Sequence, residues 1–163
     1  MKNSFLPIIY PNSLIIILGT MPGEKSLELQ QYYGNRGNQF WKLLYTLFDK
    51  PFSYNYEERI ELLRLHKIAL WDVLQYCERE GSLDSNIKNE KPNDFDAFHT
   101  NYPAIKYVLF SSKKAAAYYD KYVGRKLNIH YDVLPSPSGA NATMTFLDKL
   151  TIWNQKIMPL ITK

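Results

Sequence analysis

The sequence predicts an α/β protein, a three-layer α/β/α sandwich with a central four-stranded parallel sheet. Three observations support this. Apolar, β-branched runs alternate with amphipathic helical segments about four times along the chain, as expected when parallel strands are joined by crossover helices. The first run, SLIIIL (13–18), is almost wholly apolar, which suits a strand covered on both faces. Gly, Pro, Ser and Asn collect just after the runs, and open α/β sheets bind ligands beyond the C-terminal ends of their strands.

Taken in order, SLIIIL ends at Gly19, and NQFWKLLYTLFD (38–49) spaces Phe40, Leu43, Leu44, Leu47 and Phe48 as one face of a helix. NYEERIELLRLH (55–66) is a second amphipathic helix and KIALWDVL (67–74) a second strand. PNDFDAFHTNYP (92–103) offers a short helix capped by Asn93 or Asp94. IKYVLFSS (105–112) is a third strand, KKAAAYYDKYV (113–123) a helix of good formers, and LNIHYDVLPS (127–136) a fourth strand. Met144, Leu147, Leu150, Ile157 and Leu160 close the chain as a helix. No repeat, linker or low-complexity tract interrupts the series, so one domain over 1–163 is expected.

Composition narrows the function without naming it. The 163 residues are 45% hydrophobic, which disfavours disorder. Twenty Lys and Arg against 16 Asp and Glu leave a formal charge of +4, compatible equally with a polyanionic partner and with an ordinary soluble surface. Aromatic residues are abundant, with 13 Tyr, 8 Phe and 3 Trp. The single cysteine, Cys77, sits at what reads as a strand-to-helix edge; it excludes an intrachain disulfide and fits a reduced, structural thiol. Pro7, Pro11 and Asn12 break the N-terminal apolar runs, so neither a signal peptide nor a membrane span is expected and a cytoplasmic location is.

The usual catalytic templates are missing. There is no phosphate-binding P-loop and no G-x-S-x-G, and GTMPG lacks the G-x-G-x-x-G spacing. His66, His99 and His130 form no cluster with metal-ligand spacing, so no metal or other cofactor is expected. The loops remain. GTMPGEKS (19–26) offers backbone N–H groups to an anion or a base edge, or is simply a turn. LPSPSGANA (134–142) is stiffened by two prolines, with Ser136 and Ser138 as small donors and Gly139 allowing close approach. It suits a phosphate backbone, and equally a loop leading into a helix.

Three motifs in order, the strand followed by G-x-x-P-G, then YYGNRGNQFW, then LPSPSGANA before a last helix, resemble the uracil-DNA glycosylase superfamily. The middle segment LHKIALWDVLQYCEREGSLDSNI is most similar to the hypoxanthine (deoxyinosine) DNA glycosylase branch, and the likeness runs from about residue 13 to 155. The resemblance implies a metal-free enzyme; a monomer without membrane attachment is expected. It would flip a deaminated base out of DNA and hydrolyse the N-glycosidic bond. It implies Tyr33 as the aromatic stacked on the base and Asn38 as the catalytic amide. Thr20, Met21, Pro22 and Gly23 would form the pocket floor, and Ser136, Ser138, Gly139, Ala140 and Asn141 a DNA-gripping wedge. Better-known branches carry Asp or Asn at the third position of the first motif and a His at the head of the last loop; here these are Met21 and Leu134. The hypoxanthine branch shares both departures.

With those polar groups absent, Asn38 is expected to stabilise the departing base or to position the water, helped by backbone N–H groups near Thr20–Gly23. Asp72 either accepts the N1–H of hypoxanthine or caps a following helix. Asn35 rivals Asn38, or occupies a left-handed turn position. Lys25, Lys113 and Lys114 face phosphates or only solvent. Two other functions fit the same residues: a non-catalytic nucleic-acid or nucleobase binding module, and a mismatch-specific uracil-DNA glycosylase.

Overall fold

A computed structural model describes residues 1–161. In chain order the elements are β1 (Lys2–Asn3), β2 (Ile15–Gly19), α1 (Glu24–Leu29), α2 (Phe40–Leu47), α3 (Tyr56–Leu65), β3 (Ile68–Asp72), β4 (Leu74–Glu78), β5 (Lys88–Pro92), α4 (Phe95–Asn101), β6 (Tyr107–Phe110), α5 (Lys113–Tyr122), β7 (His130–Val133) and α6 (Phe146–Ile161), with a 3₁₀ turn at Asp84–Asn86. The central sheet has the order β3-β2-β6-β7, and every pairing in it is parallel. The α/β/α sandwich is therefore as expected.

Alternate residues of the strands divide the core. Ile15, Ile17, Leu70 and Leu109 face Phe40, Leu43 and Leu44 of α2, Leu62 and Leu63 of α3, and Trp153 and Ile157 of α6. Ile16, Leu18, Ala69, Val108 and Phe110 face Phe95 and Phe98 of α4 and Ala115 and Tyr119 of α5. A strand buried on both faces needs apolar residues at every position, and Ile15–Leu18 are wholly inaccessible.

The sequence does not foreshadow the second sheet, an antiparallel β1-β4-β5 ribbon. The expected strand at 67–74 stops at Asp72; the Val73 and Leu74 N–H groups donate to Gly19 and Thr20 carbonyls at 2.8 and 3.2 Å, and the chain turns directly into β4. Cys77 is buried inside β4, not at a strand-to-helix edge. No helix follows Asp72, so it caps none. The β5 sequence, KNEKP, is a charged edge strand, a composition that blunts edge pairing but carries no apolar pattern to read. Of the two cap candidates, Asp94 accepts from the Ala97 N–H at 3.0 Å, while Asn93 donates to the Asp72 carbonyl at 2.8 Å.

α6 anchors the site from behind. Buried Lys149 donates to Gln39 Oε1 and the Ser138 carbonyl, Trp153 Nε1 to the Pro135 carbonyl at 2.9 Å, and Lys156 to Asp132 and the Val133 carbonyl. These ties hold the 134–142 loop against the start of α2.

Candidate active site

The parallel register puts Gly19 beside Asp72 at the C-terminal ends of β2 and β3. A Cβ on Gly19 would lie 2.6 Å from Asp72 Oδ1 and 3.1 Å from the Tyr33 hydroxyl, so glycine is required for this close approach. Above this floor opens a cavity of about 680 Å³. Several segments reach it. The loop after β2 contributes Thr20, Met21, Pro22 and Gly23; the turn before α2 contributes Tyr33, Asn35 and Asn38; the end of β3 contributes Asp72; and the loop after β7 contributes Ser136, Ser138, Gly139, Ala140 and Asn141. Of the candidate site residues, the lysines stay outside the cavity: Lys113 and Lys114 are exposed in the first turn of α5 and Lys25 is exposed on α1.

Tyr33 has a left-handed backbone, φ 52°, uncommon for a bulky residue and typical of positions held in place by their surroundings. Its ring stacks on Phe40, centroids 3.9 Å apart and nearly coplanar at 7°, and its hydroxyl donates to Ser111 Oγ at 3.1 Å. One face is thus covered by Phe40. Asn35 does not take the left-handed position expected of it. Instead its Oδ1 accepts from the Gly37 N–H at 2.8 Å and its carbonyl from the Asn38 N–H at 2.9 Å, which builds the turn. Asn38 Oδ1 accepts from the Phe40 N–H at 2.9 Å, satisfying one of the open donors of α2. The Asn38 carboxamide N–H₂ has no protein acceptor among the described residues and borders the cavity.

Asp72 is 4% exposed, and its Oδ2 has no hydrogen-bond partner among the described residues. Burial pushes its carboxyl up to about 7, the nearby Asp84 charge pushes the same way, and Arg79 opposes both. Burial also raises Asp84, against the Thr20 hydroxyl and Arg79. Arg79 is itself buried; it donates to the Gly81 and Pro22 carbonyls and lies 3.7 Å from Asp84. It ties the 79–84 loop to the first motif. Ser82, Leu83, Asp84, Ser111 and Ser112 also line the cavity. The segments GSLDS and FSS stand at strand ends in the sequence, but without tertiary contacts nothing there distinguishes Asp84 or Ser111 from ordinary loop residues.

The last loop is stiff. Ser136 and Ser138 hydroxyls accept the Ser138 and Ala140 N–H groups, and Asn141 spans the loop to the Ser136 carbonyl at 3.2 Å. A Cβ on Gly139 would sit 2.7 Å from the Gly37 carbonyl oxygen, so this loop and the 35–38 turn touch. Met21 and Leu134, at the positions of the missing polar groups, are both buried among apolar neighbours. The histidines lie elsewhere: His66 against Phe48, His99 hydrogen-bonded to Tyr119, and His130 opening β7. Among the described residues, no group of three His, Cys, Asp or Glu is placed to hold a metal ion.

Residues 7–156 match the family model described as the uracil DNA glycosylase superfamily. Two curated relatives, each named hypoxanthine DNA glycosylase, align over 86% of this chain and 88% of their own length: one from Methanosarcina barkeri at 41% identity and one from Methanosarcina acetivorans at 38%. The solution NMR structure of a Methanosarcina acetivorans protein, described as a candidate uracil DNA glycosylase, superposes with a TM-score of 0.83. It is 34% identical, with 98% of each chain covered. With its parallel sheet, its cavity at the strand ends and its three loop motifs in register, the chain belongs to the uracil DNA glycosylase superfamily.

Proposed function

We propose that this chain is a monofunctional DNA glycosylase that removes hypoxanthine from DNA, and that Asn38 and Asp72 divide the chemistry. The observation that carries this reading is the pairing of two unsatisfied groups in one cavity: a carboxamide N–H₂ with no acceptor and a buried carboxyl oxygen with no donor. A carboxyl oxygen buried without a partner is costly, the amide opens on the same cavity, and a lactam base edge supplies a partner for each.

Hypoxanthine presents N1–H beside C6=O. The ionised Asp72 carboxyl accepts N1–H, whereas adenine would turn a lone pair towards it. The uncovered face of Tyr33 stacks on the base. The bond between C1′ and N9 breaks with its electron pair going to the purine, leaving an oxocarbenium-like sugar. Asn38 donates to the purine as negative charge grows there, the type of fixed-donor stabilisation that acts most strongly in a dry site. Its Oδ1 is held by the Phe40 N–H, which leaves the amide hydrogens of Asn38 to meet the base. Water then bonds to C1′ and gives up a proton to solvent. The 136–141 loop supports the opened duplex, and flipping costs least at a weak or mismatched pair. The names of the two curated relatives favour hypoxanthine over uracil.

The test is a set of duplexes carrying one hypoxanthine, uracil or xanthine, scored for alkali-labile abasic sites. Hypoxanthine release is expected to be fastest. Faster uracil release would move the substrate to the mismatch-uracil class, and no release at stoichiometric protein would leave a binding module.

A further inference from the structure

We infer that a second cavity, on the far side of the 35–38 turn, is a nucleotide subsite that takes one nucleotide of the lesion-bearing strand next to the extruded one. The inference rests on the glycosylase reading above. This cavity has a volume of about 510 Å³ and shares Tyr33, Asn35, Gly37 and Asn38 with the first, so the turn is their common wall. A strand whose nucleotide occupies the first cavity crosses that wall and meets the second.

The lining chemistry is that of a phosphate and a flat ring. Arg36, Lys42 and Arg59 border the cavity, and no Asp or Glu does. None of the three forms an ion pair among the described residues. Arg59 is 7% exposed, yet its one protein hydrogen bond runs from Nε to the Ser53 carbonyl at 2.8 Å; its two terminal nitrogens have no acceptor. Burial lowers its affinity for its proton, Tyr45 and Tyr54 partly oppose this, and Arg36 adds to the lowering. Trp41, Phe52 and Tyr54 rings hold the guanidinium at 5.5, 5.2 and 5.6 Å.

A purely structural role, pinning the 52–54 loop, accounts for Arg59 alone. It leaves unexplained why Arg36 lies exposed over Tyr54 at 4.6 Å, and why Phe52 and Tyr54 are 43% and 64% exposed beside three unpaired cations. An arginine fork bonds phosphate oxygens in pairs, and an aromatic ring with an arginine plane laid on it offers a flat surface on which a base stacks. Together they fit a nucleotide.

The experiment uses fluorescence anisotropy of a labelled single strand with a central, cleavage-resistant 2′-fluorinated inosine. Arg36→Ala and Tyr54→Ala, both at exposed positions, are each expected to raise Kd by about tenfold. Arg36→Ala with Lys42→Ala should flatten the dependence of log Kd on log salt by about 0.7 for each phosphate that is no longer neutralised. A strand trimmed to end at the inosine on the side facing the second cavity should bind wild type and variants alike; trimming the other side should preserve the difference. Variants that bind the full strand as wild type does would overturn the subsite. So would equal losses on strands trimmed from either side, or competition by free inosine monophosphate at this cavity with strand binding untouched. Wild-type binding that ignores the lesion would remove the glycosylase reading and the subsite with it. Lesion-specific binding with unaffected variants would remove the subsite alone.

Discussion

The two cavities flanking the 35–38 turn are opposite in what they leave incomplete. In the first, Asp72 is a buried carboxyl with an oxygen that no donor reaches; in the second, Arg59 is a buried guanidinium whose ends no acceptor reaches. The Asp72 oxygen is shut off from solvent without a partner and costs folding energy, whereas the ends of Arg59 open on the second cavity, where water or a ligand meets them. The signs set the tasks. A carboxyl repels phosphate and selects among neutral bases by their edges, while cations hold the backbone without reading sequence. One turn, built by Asn35 and pressed by Gly139, separates the two.

The largest expected effect breaks the first cavity. Asn38→Asp keeps the oxygen that caps Phe40 and loses the amide donors. Stability should stay near wild type while the hypoxanthine excision rate falls by about 10²–10³-fold, as for loss of one fixed donor. Asn38→Ala should lose the same activity and, in addition, about 1 kcal/mol of stability with the cap, read by denaturant unfolding. Full activity in Asn38→Asp would take the catalytic role from the amide.

Next, Asp72 makes the first cavity pH-sensitive in a direction the second cannot share. Its carboxyl must be ionised to accept N1–H, and it ionises as pH rises through about 7. Single-turnover excision should therefore rise by roughly tenfold from one unit below that value to above it. Asp72→Asn should flatten the profile and weaken discrimination against adenine. A slope unchanged in Asp72→Asn would assign the titration to another group.

The second cavity follows, with the tenfold losses in strand affinity from Arg36→Ala and Tyr54→Ala. Excision from a saturated complex should be almost unchanged there, which separates holding the strand from cleaving it.

A last effect is on stability, not on rate or strand affinity. The folded carboxyl of Asp72 keeps its proton well above the ordinary value of 3.8. Between that value and about 7 the folded state thus binds more protons than the unfolded chain, and its stability falls as pH rises. Asp72→Asn removes this penalty. At pH 8 it should be more stable than wild type by roughly 2–4 kcal/mol, and the gain should vanish near pH 4, as measured by thermal unfolding at the two values.

Much of this is legible in the chain itself. Continuous apolar runs at 14–18 and 107–110 mark strands because a doubly covered strand leaves no position for a polar residue. The loop motifs are legible because glycine, proline and asparagine at strand ends restrict the backbone in recognisable ways. The β4–β5 ribbon is not, since a charged edge strand such as KNEKP carries no apolar alternation. Nor is the role of Asn35, whose side chain builds the turn that an asparagine in a left-handed conformation would otherwise have made.

By itself, then, the sequence determined the layer architecture, the order of the elements and the loops that meet at one sheet edge, because these follow from local periodicity and the chemistry of chain reversal. Only the tertiary structure decided which polar groups remain without partners. Whether Asp72 finds a donor depends on its register with Gly19, and whether Arg59 finds an acceptor depends on how the 52–54 loop folds over it. Burial and pairing are properties of contacts between distant segments, and no stretch of sequence encodes them alone.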